Sequence, residues 1–506
     1  MSVTHQDTTS VEEKAAGAFQ TATFLVEPLH GERRLVRRLD ARIMPIVCLL
    51  YLFAYLDRTN LGNARLQGLP GDALNGDPTG VLFEWVNSVF FFSYIIFQIP
   101  ATITSKLFPP RIWLGCSALG WGLCSTLSAC GFNFAGLTVA RIGLGMFEAG
   151  FGPGIPLYMS FYYTKQEIGM RLAYLFGFGA VAGACGGLIA FGVQNAHTAL
   201  ANWRLLFIIE GLPTIFLGVL CLFLLPDRPE ETTFLNERER ELAMERVNRG
   251  IKADIGRTIK KKHIAAAFLD WKVCISSPLR VCQSTHCPSP QIYAAGVIYF
   301  GANCALASIS AFLPTIITTF GYSNALAQLL TVPPYAVAAI ILCSTSYCSD
   351  RLQSRGFSVV AASMLGVLGY VLLLAVPYND HVRYFATFCI TSGTYTIIGV
   401  VIAWFTHNLG SETKKATGIP MYIAIGQCGS VLGSHLFPTT DGPRFITGFA
   451  VSCALEFVSA VTAIILTMYY RMENKRRDGK FGKPIRDAMV DTSELADMAP
   501  DFRYVP

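Results

Sequence analysis

Four charged residues stand in this sequence where charge is expensive. Asp57 and Arg58 fall inside the apolar run YLFAYLDRTNLGNAR, and Arg141 and Glu148 fall inside GLTVARIGLGMFEAGFGPGIPLYMSF. An ionisable side chain in a stretch that lipid would surround is costly, so each is a functional candidate. At 1.5 Å of rise per residue, Asp57 and Arg58 lie roughly 20 Å in from the start of their run. Arg141 lies about 10 Å in from the opposite end of its own, which brings the two guanidiniums to similar depth. Arg141 and Glu148 are about two helical turns apart and share a face. Arginine stays charged and grips a carboxylate with a two-pronged fork, whereas a carboxyl in a dry cavity can trade a proton near neutral pH. The set therefore reads as a site for a small organic anion, held by Arg58 and Arg141, with Asp57 and Glu148 on the proton. The competing reading makes Asp57 with Arg58, or Arg141 with Glu148, internal ion pairs that hold helices together. On the substrate reading, Arg141→Ala is expected to abolish function with surface expression intact.

Other polar residues are weaker candidates. Gln427, with Asn303, Tyr299 and Trp404, occupies positions in the second half of the chain from which a central cavity would be lined, and Gln427 is taken as a third substrate contact. Glu84 and Glu210 sit near run ends, where gating or packing roles compete. Glu456 is a lone carboxyl that suits a buried hydrogen-bond partner, and His407 and His435 suit helix ends or interfaces.

The elements that carry these residues follow from composition. Hydrophobic residues make up 52% of the 506 positions and charged residues only 15%, with a mean hydropathy of +0.43. Soluble domains carry about 25% charged residues, so this balance points to a lipid bilayer as solvent. Apolar runs near 44–62, 81–104, 112–131, 134–158, 171–193 and 204–225, then 292–316, 325–348, 356–377, 382–405, 417–437 and 444–470, each approach the ~20 residues that cross a bilayer. The fold class expected is an all-α membrane protein of twelve transmembrane helices in two six-helix bundles. Residues 1–43 form a disordered cytosolic N-terminal tail, 44–226 the first bundle, 227–291 a cytosolic central loop, 292–470 the second bundle and 471–506 a cytosolic C-terminal tail. Gly179, Gly183 and Gly187 in the fifth run, and Gly429 and Gly433 in the eleventh, have the four-residue spacing that lets helix backbones approach closely.

Basic residues collect in alternate loops. Arg33, Arg34, Arg37, Arg38 and Arg42 share a side with Arg111, Arg171, Arg351, Lys414, Lys415 and Arg471, which places both termini in the cytosol; the location expected for this multi-pass protein is the plasma membrane, with an organelle membrane as the alternative. These loops account for the net charge of +6, so no nucleic-acid partner is implied. A monomer is expected, with a small carboxylate, a proton and the bilayer as its partners. The fifteen cysteines lie mostly inside apolar runs, as packing residues rather than a disulfide framework. Residues 273–291, VCISSPLRVCQSTHCPSPQ, interrupt an otherwise smooth DWK to IYAAG junction and resemble a retained intron, the competing reading being a variable loop. Cys274, Cys282, His286 and Cys287 within it match no zinc spacing, and neither a metal nor a cofactor is called for.

The phrases YLDRTNLGNAR, RIGLGMFEAGFGPG, WRLLFIIEGLPTI, LPDRPEE, VIYFGAN, SISAFLPTII and WFTHNLGSETKKATG, over about 35–470, resemble the anion:cation symporter family of the major facilitator superfamily, in particular its fungal allantoate and nicotinate permease group. The resemblance implies proton-coupled uptake of a small carboxylate by rocker-switch alternating access. It associates the first-span Asp-Arg pair and the fourth-span Arg and Glu, here Asp57, Arg58, Arg141 and Glu148, with proton coupling and anion binding. One departure is the loop SKLFPPRIWLG between spans two and three, which lacks the Asp usual in the superfamily, while SDRLQSRG between spans eight and nine keeps Asp350 and Arg351. The alternative is an efflux carrier of the same fold. Its usual Gly-Pro motif is missing from the fifth span, AYLFGFGAVAGACGGLIAFGV. An enzyme is not expected, since no phosphate loop, ligand cluster or nucleophile elbow falls in a cytosolic segment large enough to fold.

Overall fold

A computed structural model describes residues 6–105, 107–196, 198–248, 291–352, 354–409, 412–482 and 499–506. The proposed insert falls outside the described residues except for Gln291, as do the cysteines and histidine within it. Twelve helices cross the molecule. In the first half they are α1 (Gln6–Leu66), α2 (Val81–Ser105), α3 (Pro110–Ser128), α4 (Phe134–Glu148), α5 (Lys165–Gln194) and α6 (Asn202–Leu224). The second half supplies α7 (Gln291–Thr318), α8 (Val332–Leu352), α9 (Arg355–Ala375), α10 (Asp380–Asn408), α11 (Glu412–Ser434) and α12 (Ile446–Phe481). Nine of the described helices are long and apolar enough on their own to cross a membrane. The fold is the twelve-helix one expected. Its outer faces carry the apolar surface that lipid covers, with Ile96, Phe216, Phe223 and Ile465 all more than 60% exposed.

The fourth span is split. The sequence AGFGPG ends α4 at Glu148, and a short helix, Gly154–Met159, resumes the crossing. Glu148 therefore sits at a helix terminus inside the protein, where the last carbonyls repel a carboxylate and only a neighbouring cation or a proton offsets them.

The first helix starts well before residue 44, where a disordered tail was expected. Leu35, Leu39 and Ile43 recur every four residues and are buried, while Arg33, Arg34, Arg37, Arg38 and Arg42 between them are exposed. That is an amphipathic stripe, and it continues the helix. A helix in the central segment, Glu237–Asn248, is clamped to it: Arg38 reaches both oxygens of Glu239 at 2.6 and 2.8 Å, and Arg246 reaches Glu167 of α5 at 2.6 Å. Arg171 of α5 forks onto Asp40 with two bonds of 2.7 Å. Burial pushes the Glu239 carboxyl up, but the Asn236 backbone N–H and the Arg38 guanidinium outweigh it and hold the group below the ordinary glutamate value. A depressed carboxyl adds stability above its unfolded pKa, so this clamp is expected to be whole at neutral pH and to weaken as pH falls through the lowered value. The loop that lacks an Asp finds one elsewhere. Asp227, from LPDRPEE after α6, accepts from the Arg111 side chain at 2.9 Å and from its backbone N–H at 3.1 Å.

The second half ends on a docked strap. Residues 499–506 lie across the ends of α9, α10 and α12, with Phe502 and Tyr504 buried. Asn474 donates to the Tyr504 carbonyl (2.8 Å) and accepts its N–H (2.9 Å), and Asn408 does the same for Val505 (3.0 and 2.9 Å). Each asparagine thus satisfies both backbone groups of one strap residue, as a neighbouring strand would. Trp404 donates its Nε1–H to the Val505 carbonyl at 2.8 Å, so its indole lies beneath the strap and not against the anion candidates.

Glycines set the closest helix approaches both inside a bundle and between the two halves. A Cβ on Gly429 or Gly433 of α11 would run into the backbone carbonyls of Phe300 and Cys304 on α7, and one on Gly183 of α5 would strike the Tyr335 ring of α8. Backbone carbonyls cannot swing aside as a side chain can. Gly429→Val is therefore expected to destabilise the fold by about 1–3 kcal/mol, read as a lower midpoint in a thermal melt of the purified protein.

Hydrogen bonds join the two halves at the end opposite the termini, here called the far end. Gln328 donates to the Asn63 carbonyl (3.3 Å), Asn324 to that of Leu66 (3.3 Å) and Asn87 to the Ser434 hydroxyl (2.9 Å). His435 faces Glu84 at 3.3 Å, and Arg65 lies over the Phe83 and Phe312 rings. Both Glu84 and His435 are therefore interface residues at the far end. The far end is closed in this structure.

Candidate functional site

All four charged residues of spans one and four belong to the first bundle, but they form two separate arrangements. Asp57 on α1 is fully buried and accepts from the Ser125 hydroxyl of α3 (2.5 Å) and the Thr214 hydroxyl of α6 (3.0 Å). Its neighbour Arg58 points a different way, as successive residues on a helix do, and pairs with Glu148 of α4. The ion pair therefore joins two helices, unlike either pairing weighed from the sequence.

Arg58 is the more accessible of the pair. Its side chain keeps 21% of its surface exposed, against 2% for Glu148. The guanidinium carbon lies 5.2 Å from the centre of the Phe90 ring and 5.1 Å from that of Tyr94, both on α2, so aromatic faces also support the charge. The Arg58 Nε and one Glu148 oxygen are buried without a hydrogen-bond partner. The pair is held together with donor and acceptor capacity to spare.

Arg141 is 3% exposed and turned into the bundle. It donates to the Asp57 carbonyl at 3.2 Å and to the Asn60 side-chain oxygen at 3.1 Å, and its guanidinium carbon lies 5.8 Å from the centre of the Phe207 ring on α6. Glu210, also on α6 and fully buried, is within electrostatic reach of it, as are Asp57 and Glu148. Two guanidiniums thus serve three carboxyls, Asp57, Glu148 and Glu210, and a single proton makes the set neutral. Buried charge is tolerable only when balanced, so this count ties the cluster to one proton.

In the second half, Gln427 is 4% exposed and its side-chain oxygen accepts from Ser430 at 2.9 Å, one turn along its own helix. Asn303 donates to the Tyr299 carbonyl at 2.9 Å, and the Tyr299 ring packs edge-on to Tyr422 with centroids 5.7 Å apart. Glu456 of α12, fully buried, accepts from Thr394 of α10 at 2.8 Å, the hydrogen-bond role foreseen for it. His407 lies with Thr406 and Arg355 around a small cavity facing Ile168 and Leu172 of α5.

Several participants were not singled out from the sequence. Ser125 and Thr214 are polar residues inside apolar runs, the same signal that marked Asp57, but small hydroxyls are common enough in membrane helices to pass unnoticed. Asn60 is one turn beyond Asp57 and could have been found from that spacing alone. Among the described residues no cluster of histidine, cysteine and carboxylate side chains has the makings of a metal site.

Comparison with known proteins agrees with this architecture. The family model described as Major Facilitator Superfamily matches residues 47–434. The Major facilitator-type transporter hxnP of Emericella nidulans is 32% identical over 484 residues, covering 94% of this chain and 93% of that protein. The High-affinity nicotinic acid transporter of Saccharomyces cerevisiae is 27% identical, over 94% of this chain and 85% of its own. Among solved structures, the xylose transporter XylE from E. coli, in a partially occluded inward open conformation, superposes with a TM-score of 0.62 at 13% identity, over 83% of this chain and 96% of that one, which speaks to the fold alone. With twelve helices in two halves, a family match across most of its length and a relative above 30% identity along nearly all of it, the chain belongs to the Major Facilitator Superfamily and is a multi-pass membrane transporter, not an enzyme.

Proposed function

We propose that this transporter is a proton-coupled symporter for a small organic anion, a monocarboxylate of the nicotinate or allantoate kind, in the anion:cation symporter branch of the superfamily. The observation that carries the reading is the Arg58–Glu148 ion pair, buried on the glutamate side and open on the arginine side. Glu148 occupies the fork that an incoming carboxylate needs. With one of Asp57 and Glu210 already carrying the proton that makes the set neutral, a further proton on Glu148 releases Arg58, the substrate carboxylate replaces it, and the loaded site is again electrically balanced, with one added proton and one anion aboard. Neither ligand alone leaves the cluster neutral, and a buried net charge opposes the rocking of the halves. Arg141 keeps Asp57, Asn60 and Glu210 in register while this exchange takes place. Gln427 is the second-half contact that completes the anion site when the halves close around it. A nicotinic acid transporter among the relatives supports the substrate class.

With the basic loops in the cytosol, both termini and the strap face inward, and the closed far end faces out at the plasma membrane. Uptake should then rise as the outside is made more acid. The test is a panel of labelled small carboxylates offered at pH 5 and pH 7.5 to a host lacking its own carriers. At least one is expected to enter about tenfold faster at pH 5, and Glu148→Gln should flatten that ratio to near one while exchange of labelled for unlabelled substrate continues. Uptake with equal rates at both pH values in the unaltered carrier would sink the coupling. A pH ratio that survives in Glu148→Gln would move it to another carboxyl.

A further inference from the structure

At the depth of Arg58 the two halves are joined by two hydroxyl–hydroxyl contacts among the described hydrogen bonds, both made by one residue. Tyr55 of α1 stands one turn before Arg58. Its phenol accepts from the Tyr395 phenol of α10 at 2.6 Å and shares a hydrogen bond with the Ser310 hydroxyl of α7 at 3.1 Å. All the other interbundle hydrogen bonds given above lie at the far end. The rings are packed as well as bonded: Tyr55 and Tyr395 have centroids 5.8 Å apart, and Tyr335 of α8 meets Tyr395 edge-on at 5.8 Å. Tyr55, Tyr335 and Tyr395 are each 5% exposed or less.

We propose that Tyr55, Tyr395 and Ser310 form a central latch that holds the two halves in the far-end-closed arrangement, and that Tyr55 couples this latch to the occupant of Arg58. Three features support the assignment. A buried phenol that loses its partner pays a desolvation cost, so parting the halves here is opposed by more than the loss of ring packing. The bond crosses between halves that must move as bodies in this superfamily's fold, so it has to break or be replaced in the cycle. Tyr55 and Arg58 share one turn of one helix, so a displacement of Arg58 on exchanging Glu148 for a substrate carboxylate is transmitted to Tyr55 through a rigid element. The three act on the conformational step as positioning residues and none is asked to touch the substrate.

The coupling to Arg58 rests on the anion reading above, but the latch itself does not, and the experiment separates the two. Phenylalanine at 395 keeps the ring and removes the hydroxyl. In the purified carrier, with the exposed Cys116, Cys130, Cys348 and Cys428 replaced by serine and labelling at the introduced position read by peptide mapping, a cysteine introduced as Thr331→Cys reports opening of the far end, because Thr331 is 2% exposed in the closed arrangement. Tyr395→Phe and Ser310→Ala should each raise the rate of thiol labelling at that position by about three- to tenfold, the population shift that one lost hydrogen bond produces. In transport, the substrate concentration at half-maximal rate should move less than threefold, while the ratio of net uptake to exchange changes. Unchanged labelling in both variants overturns the latch. A tenfold loss of apparent affinity with unchanged labelling would overturn it too, and make Tyr395 a substrate contact. Raised labelling with no response to any carboxylate would uphold the latch and reject the anion reading.

Discussion

Arg58→Ala is expected to lower anion uptake by at least about 100-fold while the protein still reaches the membrane. Two losses add. On the anion reading proposed above, the substrate carboxylate loses its two-pronged partner, and removing one member of a desolvated charge pair typically costs about 2–5 kcal/mol, of which about 2.7 kcal/mol is already 100-fold. Glu148 also loses the cation it is paired with at the end of α4, so the exchange of proton for anion at Arg58 is gone and the pH dependence of uptake should disappear. Arg58→Lys keeps the charge but not the fork, and should recover part of the rate with a raised half-saturating concentration. Initial-rate uptake at several substrate concentrations, with surface biotinylation as the control for amount, checks the result. Full uptake by Arg58→Ala would remove the residue from the site.

For Arg141→Ala the larger expected effect is on the fold. From the sequence it looked like a second substrate prong, whose removal would silence the carrier and leave its folding alone. In the structure it is 3% exposed, bonded to the Asp57 backbone and to Asn60, with Asp57 and Glu210 close enough to depend on its charge. Removing one partner from a buried charge set costs about 3–5 kcal/mol, a large share of the about 5–15 kcal/mol that stabilises an ordinary domain. The variant should give little monodisperse protein on size exclusion and a markedly lower melting midpoint. Adding Glu210→Gln to it removes a carboxyl together with its cation and should restore much of the folded fraction. If Arg141→Ala folds as well as the parent, the cation is dispensable to the bundle and the substrate role regains ground.

Much of this was legible because lipid imposes simple rules. Apolar runs of membrane length gave the twelve crossings, and Asp57, Arg58, Arg141 and Glu148 stood out because charge inside such runs has few innocent explanations. Their partners were not legible. Spacing along a helix says that Arg141 and Glu148 share a face, but which neighbour that face meets depends on how α1, α4 and α6 pack, and packing brought Glu148 to Arg58 and left Arg141 over Asn60. The start of α1 was missed for a different reason. Its five exposed arginines dominate the local composition, and only the four-residue recurrence of Leu35, Leu39 and Ile43 shows that the helix continues. The strap at 499–506 carries no sequence pattern of its own. Its order comes from Asn408, Asn474 and Trp404, which lie far from it along the chain.

That strap has a use beyond holding three helix ends together. The contacts described for it are with the second half of the molecule, whereas the helix Glu237–Asn248 is fastened by Arg38 and Arg246 to α1 and α5 of the first. Both lie at the same end of the protein, and each is tied to a different half. A fluorophore on the strap and a second on that helix would therefore form a molecular ruler, whose reading lengthens or shortens with each half-turn of the transport cycle.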